Sequence, residues 1–292
     1  MKTGRQGRDV PTAGVKNLVI GSDGFVGRSL CDFLRDQGEE VIRFDIKRGD
    51  HEDARTAVLP VGEATRVYFL AWDVGGAKYL YRDAFQFQQL EWNLRLLLNI
   101  LPQLRQAKTP FLFVSSQLAE EPDTVYGVTK RLGEVWTELL GGVRLRLWNI
   151  YGGFEAASDR SHVVADFVHQ ALETGEIRMM TTGRELRQFV HVDDACRAFH
   201  LAMSEPLEGL YDVTSFEWVS VRAVADVIAG LTGARVVPGS RAGRTPMTPM
   251  VGKIPGWHPR LTMKEGLVRM VDEYRRRRPA RVGDSLTGPQ SA

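Results

Sequence analysis

The feature that most constrains this chain is Gly21-Ser-Asp-Gly24-Phe25-Val26-Gly27, which directly follows an apolar run and opens a segment with helical spacing. A strand that becomes a helix across three glycines leaves few folds open. The glycines permit a tight turn, let backbone approach a pyrophosphate, and bring the helix close against the strand. The helix then offers amide N–H groups and partial positive charge to phosphate oxygens. The spacing is GxxGxxG rather than GxGxxG, and alone it is as often only a turn. Its context adds weight. The next apolar run ends at Asp45, about 20 residues on. A carboxylate there accepts from both hydroxyls of an adenosine ribose and repels a 2′-phosphate, which favours NAD over NADP. Lys47 and Arg48 are the opposing signal, because they suit a 2′-phosphate.

Short apolar runs at 15–20, 40–44, 66–71, 111–114 and 143–147 read as buried strands. Between them lie helix-length segments, for instance 85–101 and 126–140. This alternation predicts an α/β fold of the Rossmann type, a doubly wound parallel sheet with helices on both faces. The second half is less regular: 163–172 and 194–203 read as helices, 189–192 as a strand, and Ser220 as the N-cap of a further helix. We expect a dinucleotide-binding domain over 15–150, with 189–212 returning to it. A smaller α/β lobe over 151–188 and 213–275 would bind substrate. The ends, 1–14 and 276–292, are polar and aperiodic and are expected to be disordered. The run of arginines from Arg275 reads as the start of that tail.

Composition excludes more than it selects. With 38 basic against 36 acidic residues and a formal net charge of +2, nothing calls for nucleic acid or an acidic membrane as partner. Cys31 and Cys196 lie in separate helical segments, without CxxC or a His/Cys cluster, so neither a disulfide framework nor a metal site is expected. The N-terminus has no apolar signal region, and no apolar run approaches the roughly 18 residues of a membrane span. A cytoplasmic protein fits these signs.

The chemistry is carried by Tyr126-Gly-Val-Thr-Lys130, which opens a helix and puts Tyr126 and Lys130 on one face. A neighbouring ammonium lowers a phenol's pKa and makes phenolate available as a base. The pair follows a strand ending Val114-Ser115-Ser116, whose hydroxyls would stand at the sheet's carboxyl edge.

Taken together, GxxGxxG, the strand-end serines and YxxxK resemble the short-chain dehydrogenase/reductase superfamily. The extended branch, the NAD-dependent nucleotide-sugar epimerases and dehydratases, is the better match. Arg146-Leu-Trp-Asn149-Ile-Tyr-Gly152 is similar to its R-x-x-N-h-Y-G segment, and Arg187-Gln188-Phe-Val-His-Val-Asp193-Asp194 to its R-D-F-h-h-h-D-D segment. Gly256-Trp257-His-Pro259 and Lys264-Glu-Gly-Leu267 resemble its closing elements. Within the branch the chain is most similar to the GDP-mannose 3,5-epimerases and GDP-L-fucose synthases. Leu70-Ala71-Trp-Asp-Val-Gly75-Gly76 resembles their sugar-approaching loop, Asn93 and Asn99 their N-x₅-N pair, and Ser161-His162-Val163 their S-H-V. Arg241-Ala-Gly-Arg244 lies where they place arginines for the diphosphate.

The resemblance implies roles. NAD would rest on Gly21, Gly24, Phe25, Val26, Gly27, Asp45, Lys47, Leu70, Ala71, Tyr126 and Lys130. Tyr126 would take the proton of the sugar 4-hydroxyl, Ser116 polarise that oxygen, and Lys130 hold the nicotinamide ribose. His162 would act as acid/base beside the 4-keto carbon, at C3 or C5. Gly75, Gly76, Ser116, Asn149, Arg187 and Arg244 would contact a nucleoside diphosphate sugar. A homodimer through segments 85–101 and 126–140 is implied as well. The two closest groups carry a Cys two positions after the catalytic Ser; here Leu118 stands there and moves no proton. The dehydratases' Asp-Glu is Gln117-Leu118, and the interval from Ser116 to Tyr126 is short. The expectation is therefore an NAD-dependent nucleotide-sugar epimerase inverting one centre. A 4-ketosugar reductase or C4-epimerase is the alternative. A dinucleotide-sensing scaffold is disfavoured by the presence of Ser116, Tyr126 and Lys130 together.

Overall fold

A computed structural model describes residues 14–121, 123–205 and 207–277. Among them the strands are β1 (Lys16–Ile20), β2 (Glu40–Phe44), β3 (Arg66–Phe69), β4 (Phe111–Ser116), β5 (Val143–Leu147), β6 (Asn149–Tyr151), β7 (Glu176–Arg178), β8 (Leu186–His191), β9 (Leu210–Val213), β10 (Trp218–Ser220) and β11 (Arg235–Val237). The α-helices are α1 (Phe25–Asp36), α2 (Ala77–Leu80), α3 (Asp83–Ala107), α4 (Val125–Leu139), α5 (Val163–Thr174), α6 (Val192–Ser204), α7 (Val221–Thr232) and α8 (Met263–Arg277).

The main sheet runs β2-β1-β3-β4-β5-β9 and every pairing in it is parallel. Its central strands are buried along their whole length because both faces are covered. Leu30, Cys31 and Leu34 of α1 and Ala195, Cys196 and Phe199 of α6 pack on one face. Leu96, Leu97, Ile100 and Leu101 of α3 pack on the other. Both cysteines are free and buried. The lobe has its own core from α5, α7 and α8 over two small sheets, β10-β8-β6 and β11-β7. Residues 189–191 belong to β8 in the lobe sheet, whereas α6 and β9 return to the main sheet.

Several boundaries differ from expectation. β3 stops at Phe69 because the amides of Leu70 and Ala71 both turn back to the Ile20 carbonyl, at 2.9 and 2.8 Å. α3 continues through Pro102 to Ala107, held by its apolar stripe. Arg275, Arg276 and Arg277 form the last turn of α8 rather than a tail. Positive charge suits a helix's carbonyl end, and Arg277 pairs with Glu273 at 2.9 Å while Arg275 donates to the Leu231 carbonyl at 2.8 Å. The expected disorder at 1–13 and 278–292 lies outside the described residues. Ser220 caps α7, accepting from the Ala223 amide at 3.1 Å. No helix among the described residues is long and apolar enough to cross a membrane.

Candidate active site

The parallel strands all end at one edge, and the lobe lies over that edge. Between them runs a continuous cleft of about 1210 Å³, lined from the glycine turn at one end to Arg187 and Arg244 at the other. Clefts at this edge of open α/β sheets are where ligands bind.

At the glycine end the wall is backbone. Gly21 has φ +93°, and a Cβ on it would stand 2.6 Å from the Ala71 nitrogen; one on Gly27 would stand 2.0 Å from the Gly21 oxygen. Only glycine allows β1 and α1 to meet so closely. The N-cap of α1 is Gly24, which supplies no side-chain acceptor, so the helix start is left for a ligand to cap. Phe25, Val26, Leu70 and Ala71 line the same wall. Asp45 is buried there, accepting from the Asp23 amide at 2.8 Å and the Lys47 amide at 2.9 Å. Each carboxylate oxygen keeps a further lone pair for a ribose hydroxyl. The two neighbouring cations are already engaged: Lys47 Nζ donates to the Asp23 carbonyl at 3.0 Å, and Arg48 Nε to Glu52 at 3.2 Å. This set of donors, glycines and a carboxylate fits a dinucleotide with free ribose hydroxyls.

At mid-cleft, β4 delivers Ser116 and α4 delivers Tyr126 and Lys130. Thr124 caps α4 by accepting from the Gly127 amide at 3.0 Å. A Cβ on Gly127 would lie 2.3 Å from the carbonyl oxygens of Leu118 and Glu121, so the short interval before Tyr126 packs directly on the helix start. Burial pushes the Tyr126 phenol up to about 12, with the Ser116 hydrogen bond pulling it down. Lys130 Nζ donates to the Val114 carbonyl at 2.6 Å. It also lies 4.0 Å from the centre of the Trp72 ring, 4.9 Å from Phe113 and 5.8 Å from Tyr126. Burial holds this ammonium well below the usual lysine value, with Glu134 opposing. The expected lowering of the phenol by its lysine is therefore corrected: desolvation governs both groups, and the ammonium faces a carbonyl and an indole.

Two supporting residues escaped the sequence reading. Trp72 follows the turn residues Leu70 and Ala71, and its place beside Lys130 depends on how the chain turns after β3. Glu134, one helical turn after Lys130, accepts from Ser115 Oγ at 2.6 Å and from Arg146 Nε and Nη2 at 2.7 and 2.8 Å. Arg146 is thus a buried brace under the serines. Leu118 packs against the Tyr79, Leu80 and Tyr126 cluster, an apolar wall beside the phenol.

Toward the lobe, side chains replace backbone. His162 stands at the N-cap of α5, with its side chain 29% exposed on the cleft. Its Nδ1 lies 2.9 and 3.1 Å from the two oxygens of Glu155, another residue the sequence did not single out. Asp73 accepts from Tyr79 Oη at 2.8 Å and Arg160 Nη1 at 2.5 Å, and Arg160 Nη2 donates to Tyr79 Oη at 2.7 Å. Burial and the bond to Asp73 push the Tyr79 phenol up to about 12. Gly75 and Gly76 let their loop lie on this segment: a Cβ on Gly76 would stand 2.2 Å from the Ser161 oxygen. Asn93 bonds the Asp73 amide at 2.8 Å, and Asn99 the Ala54 and Ala57 carbonyls at 3.0 and 2.8 Å, so this pair pins loops.

Asn149 donates to the Gln188 carbonyl at 3.0 Å while lining the cleft. Gln188 itself is buried and accepts from Thr214 Oγ1 at 3.1 Å, which an amide does without a buried charge. Arg187 lines the cleft, burial lowering its pKa and Glu185 opposing. Arg244 is 78% exposed and sits 3.4 Å from Glu121. Among the described residues no group of three or more His, Cys, Asp or Glu is placed to hold a metal.

The model of a family described as "NAD dependent epimerase/dehydratase family" matches residues 17–213. The chain is 25% identical to UDP-glucuronic acid decarboxylase 1 of Arabidopsis thaliana, over 94% of this chain and 74% of that one. It is 22% identical to GDP-mannose 3,5-epimerase 1 of Oryza sativa subsp. indica, over 88% and 81%. Its fold matches the structure of UDP-glucose 4-epimerase with UDP-glucose from Thermotoga maritima, with a TM-score of 0.75 and 22% identity, over 90% and 99% of the two chains.

Proposed function

The chain belongs to the NAD-dependent epimerase/dehydratase family, and we propose that it is a nucleotide-sugar epimerase acting through transient oxidation at C4 of an NDP-hexose, with inversion at C3 or C5. The observation that carries this reading is that one cleft holds both the Ser116, Tyr126 and Lys130 set and an imidazole, His162. The first set suits proton transfer at a carbinol. The second suits carbon-acid chemistry next door.

NAD, when bound, would supply the hydride acceptor. Gly21, Gly24 and Gly27 would admit its pyrophosphate to the start of α1, and Asp45 would take the ribose hydroxyls. Ser116 Oγ donates to the 4-oxygen and Tyr126 Oη takes its proton. Burial holds that phenol near 12, and positive charge brought beside it would make it a base at neutral pH. Lys130, clamped between Trp72 and the Val114 carbonyl, supports the nicotinamide end. A 4-ketone makes the protons at C3 and C5 acidic, and His162 is the base that removes one. Asn149, Arg187 and Arg244 bind the diphosphate, guanidinium forks matching phosphate oxygens.

Leu118 favours the second reading, a C4-epimerase or 4-ketosugar reductase, because it puts an apolar wall where a partner acid would stand. The two separate by isotope. GDP-mannose, UDP-glucose, dTDP-glucose and ADP-glucose are screened by thermal shift with NAD present, and the stabilising sugar is incubated in D₂O. Deuterium at C3 or C5, abolished in Tyr126→Phe, is expected; turnover without carbon-bound deuterium overturns the first reading for the second. The proposal includes a homodimer. Phe87, Leu98, Leu132, Val135 and Leu139 are exposed along α3 and α4, which supports pairing through these helices; gel filtration as a monomer at micromolar concentration would remove it.

A further inference from the structure

We propose that Glu155 is the positioning residue for His162: its carboxylate fixes the imidazole as the Nδ1–H tautomer, so that Nε2 is the nitrogen that moves the ring proton. The inference rests on the epimerase reading and adds a residue to it.

The pairing is two-point. Nδ1 lies 2.9 Å from Oε1 and 3.1 Å from Oε2 of Glu155, and Oε2 also accepts the His162 backbone amide at 3.1 Å. A carboxylate held by both ring and backbone of one residue cannot swing away without losing both. Glu155 is itself anchored by its backbone. Its amide donates to Tyr274 Oη and its carbonyl accepts from the same hydroxyl, each at 2.9 Å, while His169 Nε2 meets that carbonyl at 2.7 Å. Tyr274 and His169 belong to α8 and α5, so the acid is tied to two helices of the lobe core. The Phe25 ring, first residue of α1, lies 6.1 Å from the imidazole centre. The imidazole thus neighbours both a fixed acid and the helix that follows the glycine turn.

An ionised carboxylate only accepts, so the ring nitrogen beside it must carry hydrogen, and the other nitrogen keeps its lone pair. After oxidation at C4, the C–H bond at C3 or C5 breaks. Its proton goes to Nε2, its electron pair to the enolate oxygen at C4, and the imidazolium is balanced by Glu155. Solvent then protonates the opposite face, Nε2 gives its proton back to solvent, and Tyr126 returns its proton to the 4-oxygen as the hydride would return to C4, so the inversion leaves no net oxidation. This is the logic by which a buried acid orients a catalytic histidine.

The test uses the full chain with NAD and GDP-mannose or UDP-glucose, whichever yields NADH absorbance. With ¹⁵N-histidine labelling, His162→Asn identifies the His162 signals among the six histidines. The wild-type chain should show Nδ1 protonated, and Glu155→Leu should populate the Nε2–H form while the other five imidazoles keep their shifts, which reports intact folding. Glu155→Leu should cut deuterium uptake at C3 or C5 at least tenfold and change NADH formation less than threefold, with partial rescue in Glu155→Asp. A tautomer unmoved in Glu155→Leu, or equal loss of both rates, overturns the positioning role. No deuterium uptake by the wild-type chain overturns the epimerase reading and the proton-moving role with it, even where the tautomer shifts as expected.

Discussion

At the glycine end of the cleft the wall is made of Gly21, Gly24, Gly27 and the turn after β3, residues whose contacts are backbone to backbone. At the lobe end it is made of side chains drawn from distant segments: Asp73 with Arg160, Glu121 with Arg244, and Glu155 held from α5 and α8. The first kind of wall has one shape, because a strand running into a helix across glycines leaves no freedom. The second kind is assembled from ion pairs, and changing one partner re-forms the pocket without disturbing the fold.

The comparison is most severely tested beneath Ser115 and Ser116, on the rigid side. Glu134→Ala leaves the buried Arg146 with Glu120 alone, at 2.6 Å, and the expected loss is about 3 kcal/mol of stability, read by chemical denaturation. The sign with pH is defined. Burial works to raise the Glu134 carboxyl, but bonds from Arg146, Ser115 and Arg131 outweigh it and hold it below the usual carboxylate range. Its contribution is therefore complete above the unfolded carboxylate value and is lost as pH falls through the lower folded value. The gap between wild type and Glu134→Ala should close only in acid. A constant gap down to that range would show that packing, and not charge, holds the brace.

A smaller effect is expected on the lobe side. Arg160→Ala removes one partner from Asp73, which keeps Tyr79 Oη and the Asn93 contact. The stability cost should be about 1–2 kcal/mol. The Michaelis constant for the sugar nucleotide should rise about tenfold, with NAD affinity by fluorescence titration changed less than twofold. Equal weakening of both ligands would erase the proposed division of the cleft. Smallest of all, Arg244→Ala at the exposed rim should alter stability by less than about 0.5 kcal/mol, and sugar-nucleotide affinity only a few-fold.

Much of the first half was legible because its signals are local. The glycine turn and the strand-end serines, and in the second half Ser220 as a cap, each depend on neighbours a few residues away. Boundaries failed where packing overrode local signs. The helical segment reads as 85–101, yet the apolar stripe of α3 carries the helix through Pro102 to Ala107. Arg275–Arg277 read as a tail, yet Phe154, Glu273 and the Leu231 carbonyl hold them in α8.

The sequence alone determined the doubly wound sheet, the glycine turn after β1 and the Tyr126–Lys130 pair on one helix face, since each follows from the period of apolar residues and from what glycine permits. Only the tertiary structure decided that Lys130 faces Trp72 and the Val114 carbonyl, that Arg146 braces Glu134, and that Glu155 grips His162. Those outcomes turn on desolvation and on charges meeting across loops, and neither quantity exists until the chain has closed around them.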